Sequence, residues 1–135
     1  MANTFKLSVV APDRTVFEDD VTSTVVPGVE GYLGVMAGHE PIIVALAPGV
    51  VELMDKASVR MHLAISGGFL EVSDNQAIIL ADDARMANEI NVAEEQHALE
   101  EARKALRGEP SEFTQEQAQH ELERAMARLK AAKVV

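Results

Sequence analysis

The chain has 135 residues, a formal net charge of −10 and no cysteine, which excludes a disulfide framework and a thiolate metal centre. Hydrophobic residues make up 47% and aromatics only 4%, so the chain folds, and it does so around an aliphatic core. The acidic balance excludes a sequence-independent grip on nucleic acid and a basic face for an anionic membrane.

The length fits one domain, or a small domain carrying an appendage. Charge is unevenly spread. Residues 1–87 carry 12 acidic and 5 basic side chains, residues 88–135 carry 10 and 7, and from Arg124 onward every charge is basic. An acidic body with a basic tip suits an acidic partner surface. "MANTFKLSVV" lacks a charged segment followed by a long apolar run, so no secretory signal is expected. No apolar stretch approaches the roughly 20 residues that span a bilayer. The expectation is a soluble chain, or one held at a membrane only through other subunits.

In chain order, "FKLSVVA" alternates and is rich in β-branched residues, and Pro12-Asp13-Arg14 turns the chain. "TVFEDDVTSTVV" supplies two short apolar pulses before Pro27-Gly28. "GVEGYLGVMAGHEP" then gathers four glycines between Gly28 and Pro41, a costly concentration of backbone freedom that needs a reason. "PIIVALAPGVVELM" reads as two strands broken at Pro48-Gly49. "SVRMHLAIS" and "FLEVS" read as two more, broken at Gly67-Gly68, and "QAIILA" follows Asp74-Asn75. Turn signals every 8–12 residues predict an all-β sandwich or flattened barrel.

After Asp82-Asp83 the period changes. Val92, Leu99, Ala102 and Leu106 recur at helical spacing, and Asn91 with Glu94 reads as an N-cap and its returning carboxylate. "GEPS" at 108–111 ends this helix. A second begins near Thr114, where Thr114 and Gln117 form a capping box, with a stripe of Ala118, Leu122, Ala125, Leu129 and Ala132. The pattern predicts a C-terminal antiparallel α-helical hairpin, with a sandwich over 1–86 and a two-helix arm over 87–135. Alanine buries little area at roughly 25 cal/mol per Å², and isolated helices of about 12–15 residues are marginal in water. The arm is therefore expected to be weakly held.

Catalytic chemistry is not legible. His39, His62, His97 and His120 form no metal-ligand spacing, and adjacent His39 and Glu40 point to opposite faces of a strand. His62 reads as a surface or satisfied strand position, and His97 and His120 as solvated. No GxSxG elbow exists, and the glycine-rich segment matches neither a P-loop nor a dinucleotide fingerprint. Asp19-Asp20 and Asp82-Asp83 read as turn residues.

Five motifs in this order, "VVAPDRTVFEDDV", "GxLGVxxGHxP" at Gly31–Pro41, "SGGFLEV" at Ser66–Val72, "ILADDA" and "ERAMARL", span essentially the whole chain. With the sandwich and arm, they resemble the epsilon subunits of bacterial F-type ATP synthases. The resemblance implies a non-catalytic rotor subunit that clamps gamma, rests on the c-ring and inhibits hydrolysis by extending its arm into the alpha/beta catalytic head. It implies a peripheral place on the cytoplasmic face of the bacterial plasma membrane, without direct membrane insertion. Glu30, Tyr32 and Leu33 then lie toward the c-ring, and His39 and Glu40 toward gamma, with Tyr32 standing where the family often has an acidic residue. Arg124, Arg128, Lys130 and Lys133 match the basic residues that meet the catalytic head. Some relatives bind ATP through an Ile/Leu-Asp-x-x-Arg-Ala motif. Here Ile90 and Asn91 open that segment, Glu94 and Glu95 replace Arg and Ala, and Arg124 and Arg128 match second-helix arginines of the site, so weak or no ATP binding and no cofactor are expected. The alternative is a free-standing nucleotide-sensing module in which the hairpin closes over its ligand.

Overall fold

In the computed structural model, which describes residues 3–133, alternation in sequence becomes alternation in space. Along β1 (Phe5–Ala11) the residues Phe5, Leu7, Val9 and Ala11 are buried, and those between them face outward. β2 (Arg14–Gly28), β3 (Gly31–Met36), β4 (Ile42–Asp55), β5 (Arg60–Ser73), β6 (Gln76–Ala81) and β7 (Ala84–Met86) follow. They bond in the order β1-β6-β5-β4-β2-β3, with β7 beside β5 and β1 pairing back to β2. Only β1–β6 is parallel. The return of β1 to β2 closes the sheet into a flattened barrel and leaves few free edges. Leu7, Leu53, Leu63, Ile65, Leu70 and Ile79 form its fully buried centre, the aliphatic core that the composition requires.

The Pro-Gly and Gly-Gly pairs that read as strand breaks are bends inside long strands. β4 runs for 14 residues through Pro48-Gly49, and β5 for 14 through Gly67-Gly68. The two pulses before Pro27 are likewise one 15-residue strand, β2. On one side of the bend β4 and β5 pair with each other and with β6, and on the other side they extend to β2 and β7. The bend thus carries one hairpin from the first layer of the sandwich into the second. Gly67 and Gly68 have φ of +112° and +139°, and a Cβ on Gly68 would fall on the carbonyl oxygen of Leu80. Opposite the bend, Asp82 N donates to Gly67 O at 3.0 Å and Ser66 N donates to Asp83 O at 3.1 Å. This fixes Asp83 at the corner.

The Gly28–Pro41 cluster resolves into two turns flanking β3. Gly28 pairs with Gly31 across a two-residue turn, so close that a Cβ on Gly28 would sit 2.7 Å from Gly31 O. The second turn, at Ala37-Gly38, is tied to the Asp74-Asn75 turn by Gly38 N donating to Asn75 Oδ1 at 3.0 Å.

Two helices complete the chain, α1 (Val92–Leu106) and α2 (Gln115–Lys133). Asn91 caps α1 by accepting from Glu94 N at 3.1 Å. Thr114 and Gln117 form the expected reciprocal box, at 3.2 and 3.0 Å. α2 lies between α1 and the outer face of β4 and β5. At 100° per residue its buried positions fall on two opposed sides. Ala118, Ala125 and Leu129 occupy the stripe expected from sequence, while Ala127 and Ala131 sit on the far side against Val50, Ala64 and Ala87. In α1 the expected stripe holds in part. Ala102 is buried and Leu99 half-buried as expected, but Val92 and Leu106 are exposed, and Glu95, Glu101 and Ala105 are buried in their place.

Because the corner at Gly68 has no room for a methyl group, Gly68→Ala is expected to destabilise the barrel by about 3 kcal/mol or more. Urea unfolding followed by circular dichroism measures this; a loss below about 1 kcal/mol would show that the corner relaxes freely.

Candidate functional site

Buried charge in this molecule collects where the arm meets the barrel. Arg128, on the side of α2 between its two apolar faces, is only 6% exposed. Its Nη2 donates to Asp83 Oδ2 at 2.6 Å and its Nη1 to Glu95 Oε2 at 3.2 Å. One counter-ion comes from the barrel corner and the other from α1, where Glu95 is 5% exposed. Ser66 Oγ also donates to Asp83, at 3.4 Å. Among buried side-chain nitrogens and oxygens of the described residues, Arg128 Nε alone has no hydrogen-bond partner. A buried guanidinium needs such neutralisation, because desolvating an unpaired charge costs several kcal/mol.

The other basic residues of α2 lie in different surroundings. Arg124 is half-buried and pairs with Glu121. Lys130 is exposed, with its Nζ 5.5 Å from the centre of the Tyr32 ring and 3.5 Å from the Tyr32 hydroxyl. Lys133 is exposed at the end of α2. Of the residues matched to a nucleotide site, Ile90 packs against the Val50–Ala64 seat, Asn91 is occupied as a helix cap, and Arg128 is held by carboxylates. Among the described residues no group of three His, Cys, Asp or Glu side chains could hold a metal ion.

The glycine-rich segment divides its candidate contact residues between two ends of β3, about 17 Å apart for six residues of strand. Glu30 is at the tip of one turn, with Tyr32 and Leu33 just beyond it, and this stretch lines a shallow concavity of about 440 Å³ together with Ile42–Ala45. His39 and Glu40 follow the opposite turn, where His39 Nδ1 lies 2.6 Å from the Glu40 carbonyl oxygen.

Sequence reasoning missed an exposed apolar feature of the sheet. On the outside of the sheet, Ala45, Phe69, Leu80 and Val10 stand in one cross-strand row. Ile43, Glu71, Ile78 and Ser8 stand in the next. Ile43 is 71% exposed, Leu80 57% and Phe69 56%. The signal was present in "QAIILA". Ala77, Ile79 and Ala81 fill the inward phase, so the equally apolar Ile78 and Leu80 have to face outward. Contiguous exposed apolar surface of this kind marks a contact with another macromolecule.

The far end of the arm is pinned by polar bonds. Glu101, 8% exposed, accepts from Glu112 N at 3.0 Å and from Lys104 Nζ at 3.1 Å, and Ser111 Oγ donates to the Glu101 carbonyl oxygen at 2.7 Å. His97 Nε2 lies 2.7 Å from Glu112 Oε1. The Glu112 backbone N–H, then Lys104, hold the Glu101 carboxyl below its usual 4.5, and Glu112 raises the His97 imidazole above 6.5. A depressed carboxylate stabilises above its unfolded pKa and loses that contribution as pH falls through the folded one; a raised imidazole stabilises below its unfolded pKa and loses it as pH rises through the folded one. The interhelix loop is therefore expected to be held best between about pH 4.5 and 6.5, and to loosen as pH rises through the raised His97 pKa. An NMR titration of full-length chain should give a His97 pKa above the ordinary imidazole value, falling back toward it in Glu112→Gln. Identical values in both proteins would contradict the pairing.

The chain matches two family models in succession, the ATP synthase delta/epsilon chain β-sandwich domain over residues 4–87 and the delta/epsilon chain long α-helix domain over residues 88–133. It is 40% identical to the ATP synthase epsilon chain of Syntrophomonas wolfei, over 96% of this chain and 95% of that one. It is 41% identical to the epsilon chain of Moorella thermoacetica, over 93% and 94%. Among solved structures it matches a chain in the OSCP/F1/c-ring assembly of the Euglena gracilis mitochondrial ATP synthase, with TM-score 0.81 and 31% identity over 96% of this chain and 81% of that chain. The sandwich and the helical part are thus both matched, from residue 4 to residue 133, and the chain belongs to the ATP synthase delta/epsilon chain family as an epsilon chain of the F-type enzyme.

Proposed function

We propose that this chain is a non-catalytic rotor subunit that couples c-ring rotation to gamma and restrains ATP hydrolysis by extending its arm toward the alpha/beta head. It works on the cytoplasmic face of the bacterial plasma membrane, held there through its partners. The observation that carries the reading is the separation of two apolar clusters. The barrel core and the arm's seat of Val50, Ala64, Ala87, Ala127 and Ala131 share no residue, so the arm can leave while the barrel keeps its own core. Membership of the epsilon family supplies the partners.

Gamma docks on the exposed face bearing Phe69, Leu80, Ile43 and Ile78, with His39 and Glu40 at the neighbouring turn. Burying such a face supplies about 25 cal/mol per Å², which suits a permanent contact that has to carry torque. The Glu30–Leu33 turn, at the other end of β3, meets the c-ring loops. In the extended arm Arg124, Arg128, Lys130 and Lys133 face the head. A nucleotide-sensing role has no support of its own in the geometry, since Asn91 caps a helix and Arg128 already has two counter-ions.

Two measurements test the reading on a reconstituted F1 complex. Removing residues 88–135 should leave incorporation with gamma intact and raise hydrolysis several-fold; unchanged hydrolysis would remove the inhibitory role. Phe69→Glu with Leu80→Glu should weaken the association with gamma by at least about 30-fold while the isolated chain stays folded. Unaltered association would place gamma on another face.

A further inference from the structure

The arm is attached to the barrel by little apolar surface. Its seat consists of one valine, four alanines and the flank of Ile90. Five such small side chains remove far less area from water than the leucines and isoleucines of the barrel core. The shortest polar link between arm and barrel is the ion pair between Arg128 and Asp83, at 2.6 Å. The two counter-ions of Arg128 are not equivalent. Glu95 belongs to α1, inside the arm, and its side chain is only 6% exposed. Asp83 belongs to the barrel corner, and its side chain is 34% exposed.

We propose that Asp83 is the latch that keeps the arm docked, and that Glu95 is the resident counter-ion that lets Arg128 leave with the arm as a neutral pair. Undocking then breaks one charge-assisted bond, at a carboxylate that water already reaches. The more deeply buried Arg128–Glu95 pair stays closed for as long as the two helices remain packed on each other. This spares the molecule the cost of exposing a lone guanidinium and of stranding a buried carboxylate. Lys130 over Tyr32 is the other polar link of α2 to the barrel, but both partners are exposed, and water competes for such a contact.

The latch acts within one chain, whatever the arm does in the complex. The sequence contains no cysteine, so Lys56→Cys on the barrel and His120→Cys on α2, both exposed positions, form a unique labelling pair. Single-molecule energy transfer on the full-length chain then reads the docked fraction. Asp83→Asn should raise the undocked-to-docked ratio about tenfold, as expected for losing a hydrogen bond between charged groups. Asp83→Glu should recover part of it. Arg128→Gln should open the arm at least as far, and adding Asp83→Asn to it should change little further, because the two share one bond. Helicity by circular dichroism should survive Asp83→Asn but fall in Glu95→Gln, which breaks the pair between the helices. Lys130→Ala should change the ratio less than twofold. The proposal is overturned if Asp83→Asn leaves the ratio unchanged, if Lys130→Ala opens the arm as far as Asp83→Asn, or if Asp83→Asn and Arg128→Gln add independently.

Discussion

A guanidinium cannot be buried among alanines without counter-ions, and that constraint organises the contact between the two parts of this molecule. Arg128 lies on α2 between two apolar faces, one packed on α1 and one on the barrel, so its neutralisation has to come from both directions. Glu95 enters the buried face of α1 for this reason, at a position where an apolar residue would be the usual choice. Asp83 meets Arg128 because the chain between β6 and β7 follows the bend of β5 at Gly67-Gly68, kept in register there by the Asp82 N–Gly67 O and Ser66 N–Asp83 O bonds. A two-glycine bend in a strand therefore decides where the arm can dock.

The remainder of the barrel has no need of the arm. Its closure through β1 pairing with both β2 and β6 leaves few strand edges free, and its core residues come from all the long strands. The arm contributes a second cluster on the outside, small in every side chain. Such an arrangement favours a rigid body with a detachable appendage over a single cooperative unit. It is the property that the proposed function needs, a barrel that stays in place while the arm changes position.

Much of the fold was legible because the sequence obeys simple periods. The alternation in "FKLSVVA", the switch of period after Asp82-Asp83 and both helix caps led directly to strands and helices. The bends were not legible. Pro48-Gly49 and Gly67-Gly68 carry the composition of turns, and only the pairing of both halves of β4 and β5 with different neighbours distinguishes a bend from a break. The buried face of α1 was misread in part, and for an electrostatic reason. A search for apolar periodicity passes over Glu95, whose burial depends on an arginine 33 residues away. The outward apolar face was written in "QAIILA", where both phases are hydrophobic, but its partner strands could be identified only once the register was known.

The most direct measurement is native-state hydrogen exchange on the full-length chain, resolved to individual amides. If barrel and arm have separate cores, amides of α1 and α2 exchange through an opening of distinctly lower free energy than amides at the centre of β4, β5 and β6, and the two helices form a common low-stability group. A single free energy shared by the helices and the barrel strands would show one inseparable core and contradict the detachable arm.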